Sequence, residues 1–75
     1  MALTLEQIHN DVADCLGEDP ADISVDENLV DHGLDSVRIM TLLERWRRAH
    51  DVEADFADLA ERPAIQAWAS RLGVA

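Results

Sequence analysis
Apolar residues recur at three- and four-residue spacing in separate stretches of this chain and form no alternating run, so its core must be built from helices. Leu5, Ile8, Val12, Cys15 and Leu16 make the first stripe. Thr4 with Gln7 has the pattern of a capping box ahead of it, and Gly17 ends it as the residue just past the helix. Asp35 or Ser36 starts a second helix that reaches about His50, with Ile39, Leu42, Leu43 and Trp46 on its buried side. Asp55 and Asp58 open a short helical turn through Phe56, Leu59 and Ala60. Pro63, at a first-turn position, opens a last helix whose inward side is Ile65, Trp68 and Leu72, and Gly73 closes it. The expected fold is all-α, an antiparallel four-helix bundle with a long loop between helices one and two and a short third helix.

That loop is the unusual part. From Glu18 to Asp35 no period holds, Asp19-Pro20 interrupts the backbone, and Ile23, Val25, Leu29, Val30 and Leu34 punctuate an otherwise acidic stretch. So long a loop in so small a domain is either functional or packed by its own apolar residues. The chain of 75 residues reads as one domain, 1–75, near the lower end of what folds without disulfides or metal, which excludes a large enzymatic cleft. Its core must be small and aliphatic, because only Trp46, Phe56 and Trp68 are aromatic.

Charge narrows the partners. The 16 acidic residues are set against 6 arginines and no lysine, for a formal net charge of -10, a field that repels nucleic acid and anionic membrane surfaces and favours basic protein surfaces. Cys15 stands alone, so no disulfide framework exists. Its place on the first stripe predicts a buried small hydrophobe, which suits a reducing cytoplasm. The opening Met1-Ala2-Leu3-Thr4-Leu5 is too short and too polar afterwards for a signal peptide, and no apolar run approaches the roughly 20 residues of a membrane span. A soluble, cytoplasmic domain, monomeric in isolation, is expected.

Enzyme readings fail for lack of the groups they need. His9, His32 and His50 lie far apart on separate elements, with only Cys15 as a soft companion, which gives a zinc site weak support. Asp19, Asp22, Asp26, Glu27 and Asp31 miss the spacing and the bidentate glutamate of an EF-hand loop, so they read as a solvated acidic loop. Ser36 with His32 lacks the glycine-flanked elbow and third orienting group of a hydrolase.

Ser36 itself has two readings. As a helix cap it, or Asp35, is worth roughly 0.5 to 2 kcal/mol. The same helix end, with its backbone N–H groups and positive dipole, also favours a phosphate ester on the serine oxygen. The neighbours separate the two. Leu29-Val30-Asp31-His32-Gly33-Leu34-Asp35-Ser36-Val37-Arg38-Ile39-Met40 resembles the 4′-phosphopantetheine attachment motif of carrier proteins, and its Gly-Leu-Asp-Ser-Val-Arg form is most similar to aryl carrier proteins of nonribosomal peptide and siderophore assembly lines. The likeness continues through Arg45-Trp46-Arg47 and Pro63-Ala64-Ile65-Gln66-Ala67-Trp68, so it spans nearly the whole chain.

The resemblance implies that a phosphopantetheinyl transferase attaches the arm of coenzyme A to Ser36, and that Asp35 helps bind the transferase's metal. The arm's thiol would hold an aryl acid, activated by a separate adenylating enzyme, as a thioester for a downstream condensation domain. The carrier itself would catalyse nothing. Met40, off the buried stripe beside Ser36, suits a surface that meets several partners, with Val37 next to it. Phe56 and Ala60 match positions that face the condensation partner in aryl carriers, against a plain core role for Phe56. Arg38 and Arg45 are placed to meet acidic groups on the transferase or adenylating enzyme, and Glu44 with Arg48 has the spacing of an i,i+4 pair. Two other readings stay open. One is a fatty-acid or polyketide acyl carrier, for which an acidic second helix and Asp-Ser-Leu are more usual than Val37 and the arginines between 38 and 48; a peptidyl carrier would more often show Gly-Gly-His/Asp-Ser. The other is an acidic helical docking module without a cofactor. A chain that starts at Met1 reads equally as freestanding or as cut from a larger protein.

Overall fold
The structure, a computed structural model, describes residues 3–74. Four helices follow in order: α1, Leu5–Leu16; α2, Ser36–His50; α3, Phe56–Ala60; and α4, Ile65–Arg71. No strand occurs among the described residues. The expected all-α bundle is the fold observed, with α1 against α2 and α4, and α3 against α2 and α4.

The helix ends follow from side-chain chemistry. Thr4 accepts the Gln7 N–H at 3.1 Å, while the Gln7 side chain reaches forward to Asp11. Only the backbone half of the expected capping box is therefore used. Leu3, which precedes that cap, is buried in the core with Ile8, the placement of a hydrophobic staple. Gly17, at φ 70°, ends α1, and Gly73 follows α4 at φ 71°. Pro63 does not open α4: the cap is Ala64, and the Pro63 carbonyl instead accepts the Leu29 N–H at 2.7 Å. That bond and one from Gln66 N–H to the Val25 carbonyl, 2.9 Å, tie the long loop to the start of α4.

The loop is ordered by its own apolar residues. Ile23, Leu29 and Leu34 are buried, Val25 is half-buried, and two 3₁₀ turns, Pro20–Asp22 and Leu29–His32, are capped by Asp19 and Asn28. His9 donates from Nε2 to the Ile23 carbonyl at 2.8 Å, which fixes the loop to α1. At the centre of the core Trp46 and Trp68 meet edge to face, with centroids 6.0 Å apart and planes at 73°. Both rings are fully buried, and the Trp68 indole donates to the Leu59 carbonyl at 2.7 Å.

Some expected core positions lie at its edge. Leu5, Cys15, Leu16 and Leu72 are half-buried, because the stripes run out at the helix ends where no partner helix covers them. Burial still pushes the Cys15 thiol up, against the pull of Arg38 and Arg45, which leaves it a poor nucleophile. Glu44 and Arg48 form no ion pair among the described residues.

Candidate functional site
Backbone geometry delivers Ser36. The second 3₁₀ turn ends at Gly33, whose φ of 94° suits glycine and reverses the chain. Leu34 then anchors the segment in the core, and Asp35 enters α2 in an extended conformation. Asp35 is the cap: its Oδ1 accepts the Arg38 N–H at 2.9 Å, its Oδ2 accepts Arg38 Nη1 at 3.0 Å, and its carbonyl accepts the Ile39 N–H at 3.0 Å. With capping done by its neighbour, Ser36 is the first residue of the helix, exposed, and its hydroxyl makes no hydrogen bond to the described residues. Of the two roles weighed for Ser36, capping falls to Asp35 instead.

Electrostatics at this helix start are balanced rather than acidic. The Ser36 and Val37 N–H groups are among the donors that a helix leaves without intrahelical partners, and they carry the positive end of its dipole. Arg38 neutralises Asp35 locally despite the chain's net charge of -10. A phosphate ester on Ser36 Oγ would meet those N–H groups and a paired, not a bare, carboxylate.

Beside Ser36 a shallow, mainly apolar groove runs along α2, lined by Val37, Met40, Thr41 and Glu44. Val37 is 73% and Met40 43% exposed, unusual for large apolar side chains. Thr41 is a groove residue the sequence reading passed over; its hydroxyl donates to the Val37 carbonyl at 2.9 Å, and its four-residue spacing from Val37 was the available signal. Phe56, at 36%, is exposed rather than core, whereas Ala60 is half-buried. Neither lines the groove; both lie on α3, which packs against α2. Val30, expected to help pack the loop, is also exposed.

Arg38 and Arg45 are both engaged within the chain: Arg38 with Asp35, and Arg45 with Asp11 at 3.4 Å and Asp14 at 3.8 Å across α1. His32 does not serve Ser36 as a base. Its two ring nitrogens face Glu18 and Glu27. No group of three or more His, Cys, Asp or Glu side chains able to hold a metal ion occurs among the described residues. None of the described helices is long and apolar enough to cross a membrane.

The family described as "Phosphopantetheine attachment site" matches residues 6–72. The chain belongs to that phosphopantetheine-binding carrier family. Its members bear 4′-phosphopantetheine as a covalent prosthetic group. Among similar proteins, the isochorismatase of Bacillus subtilis (strain 168) is 54% identical over 65 residues, 87% of this chain and 20% of the relative. Phenyloxazoline synthase MbtB of Mycolicibacterium paratuberculosis (strain ATCC BAA-968 / K-10) is 52% identical over 64 residues, 85% of this chain and 5% of the relative. Enterobactin synthase component B of Escherichia coli (strain K12) is 56% identical over 43 residues, 57% of this chain and 15% of the relative. The carrier domain thus spans a fifth or less of the length of these relatives. No solved structure matches the chain.

Proposed function
We propose that Ser36 carries the phosphopantetheine arm and that the chain is an aryl carrier, holding an aryl acid as a thioester between an adenylating enzyme and a condensation domain. The observation that carries the attachment point is the exposed, unbonded Ser36 hydroxyl at the first position of α2, beside an Asp35 that already caps the helix. Esterification there costs the fold no hydrogen bond. The aryl assignment draws support from Gly33-Leu34-Asp35-Ser36-Val37-Arg38 and from relatives named for enterobactin and phenyloxazoline synthesis.

In this reading the carrier has no catalytic residue. A phosphopantetheinyl transferase joins Ser36 Oγ to the phosphorus of coenzyme A that bears the pantetheine arm, forming a P–O bond as the pyrophosphate P–O bond breaks and adenosine 3′,5′-bisphosphate leaves with the serine proton, with Asp35 assisting at the transferase's metal. Attached at Ser36, the arm would supply a thiol able to hold an acyl group as a thioester, the C–S bond replacing the C–O bond to AMP in an adenylate. Tethering supplies the rate advantage: a second site within reach sees the intermediate at an effective concentration of up to the order of mM, without dilution into solution. Val37, Met40 and Phe56 give the partners an apolar contact near the arm, with Arg38 and Ala60 at its margins.

Intact mass tests the attachment. Incubation with coenzyme A and a broad-specificity transferase should add one phosphopantetheine to the wild type and none to Ser36→Ala; an unmodified wild type would reduce the chain to a cofactor-free docking module. Offering the modified protein to adenylating enzymes selective for 2,3-dihydroxybenzoate, salicylate or a medium-chain fatty acid tests the subclass. Loading by the fatty-acid enzyme alone would mark it instead as an acyl carrier of the fatty-acid or polyketide type.

A further inference from the structure
The loop that leads to Ser36 contains a side-chain cluster that the carrier reading does not use. His32 is the last residue of the second 3₁₀ turn, four positions before Ser36, and is mostly buried. Its Nδ1 lies 3.1 Å from Glu18 Oε2, and its Nε2 contacts Glu27 Oε2. Glu18 follows Gly17, the residue that ends α1, with its N–H held by the Ala13 carbonyl at 2.9 Å, and Glu27 closes a turn from Ser24. One imidazole therefore joins the end of α1, the middle of the loop and the turn that precedes Ser36.

We propose that His32, held as an imidazolium between Glu18 and Glu27, is a proton-dependent staple that orders the loop presenting Asp35 and Ser36 at the start of α2. A neutral imidazole has one N–H and one lone pair, so it can donate to only one of two carboxylates and must turn its lone pair on the other. Only the protonated ring donates to both. The charged groups facing it are Glu18 from the segment after α1 and Glu27 from the loop, with Asp31 adjacent on its own turn, and all three carry negative charge. No cation among those neighbours replaces the ring once it loses its proton.

The charge balance agrees. The Glu27 hydrogen bond, and then that of Glu18, hold the His32 proton affinity above that of a free imidazole, against desolvation, and the same Glu27 contact lowers the Glu27 carboxyl. A group whose folded value is raised stabilises the closed loop fully below its unfolded value, about 6.5 for histidine, and that contribution is lost as pH rises through the folded value. The staple is closed below the unfolded value and opens as pH rises through the higher folded one. Opening would loosen the turn held by Gly33 N–H to the Val30 carbonyl, 3.0 Å, and Leu34 N–H to the Leu29 carbonyl, 3.1 Å. The inference rests on this loop geometry alone and holds whichever acid the arm bears.

The test uses the full apo chain, comparing wild type, His32→Gln and Glu27→Gln. NMR titration of the His32 ring protons should give a midpoint above that of free histidine. Amide-exchange protection of Leu29 and Leu34, corrected for the intrinsic pH dependence of exchange, should fall across that titration by the factor by which His32 proton affinity exceeds the free value. In His32→Gln the protection should be low and flat with pH. In Glu27→Gln, which replaces an exposed side chain and leaves the core intact, the His32 midpoint should drop toward the free value. A wild-type midpoint at or below that of free histidine, a midpoint unmoved by Glu27→Gln, or a wild-type protection profile as flat as that of His32→Gln would each overturn the proposal.

Discussion
The Trp46 indole N–H donates to Asp11 Oδ2 at 2.8 Å, so the middle of α1 and the last turns of α2 share a hydrogen bond from a fully buried ring. The other Asp11 oxygen accepts from Gln7 at 3.0 Å and from Arg45 at 3.4 Å, leaving the carboxylate only 13% exposed. Asp11→Leu strands the indole N–H without a partner, which costs roughly 1–3 kcal/mol. In a domain of this size that lowers the melting temperature by about 4–8 °C per kcal/mol. Asp11→Asn keeps an acceptor and should lose clearly less. Thermal and urea unfolding of the two variants checks the difference, and equal losses would mean that the carboxylate charge, not the bond to Trp46, carries the contribution.

Asp35 combines a structural role with a proposed chemical one, and two substitutions separate them. Asp35→Ala removes the acceptor for the Arg38 N–H and should cost about 0.5–2 kcal/mol of stability. Asp35→Asn keeps a capping oxygen, so its melting temperature should stay near that of the wild type. If Asp35 also assists the transferase's metal, both variants should take up phosphopantetheine more slowly. A rate loss in Asp35→Ala alone would assign the effect to helix capping.

The apolar periods made the helices legible, because a stripe such as Ile39, Leu42, Leu43 and Trp46 has one burial solution. Ser36 stood out as a candidate because of its neighbours rather than its own type. The choice between Asp35 and Ser36 as cap was not legible, since both residue types cap well and only the backbone entering α2 decides it. Nor was the course of the loop: its ties from Leu29 to Pro63 and from Gln66 to Val25 join backbone groups that carry no sequence signal. Those ties also explain why Pro63 failed as a helix start, its carbonyl being held outward toward Leu29. The Glu18–His32–Glu27 cluster depends on that folded loop, so spacing alone could not reveal it.

Met40 and Phe56 contribute exposed apolar surface rather than core. Met40→Ala and Phe56→Ala should each change stability by no more than about 0.5 kcal/mol, as expected of surface positions. Phosphopantetheine transfer and aryl loading should proceed at wild-type rates, while condensation slows if these side chains form the downstream contact. The measurement is a single-turnover condensation assay with preloaded carriers, set beside urea unfolding. Equal condensation rates would remove the two residues from the partner surface.

Asp58 predicts an acid limb to the stability profile. Its Oδ2 accepts the Asp55 N–H at 2.9 Å at the start of α3, and its Oδ1 accepts Arg71 Nη2 at 3.0 Å from α4. The Asp55 N–H first and Arg71 second hold the Asp58 carboxyl below the usual carboxylate range, against partial burial. Because the folded value is lowered, the contribution is present above the unfolded value, about 3.9, and is lost as pH falls through the folded one. Asp58→Asn keeps the side chain's size but cannot carry the charge. Its melting temperature should lie below that of the wild type at pH 6, with the gap narrowing as pH drops under about 4. Melts from pH 6 to pH 2.5 check this, and a gap constant across that range would show that the carboxylate's charge adds nothing to the α3–α4 contact.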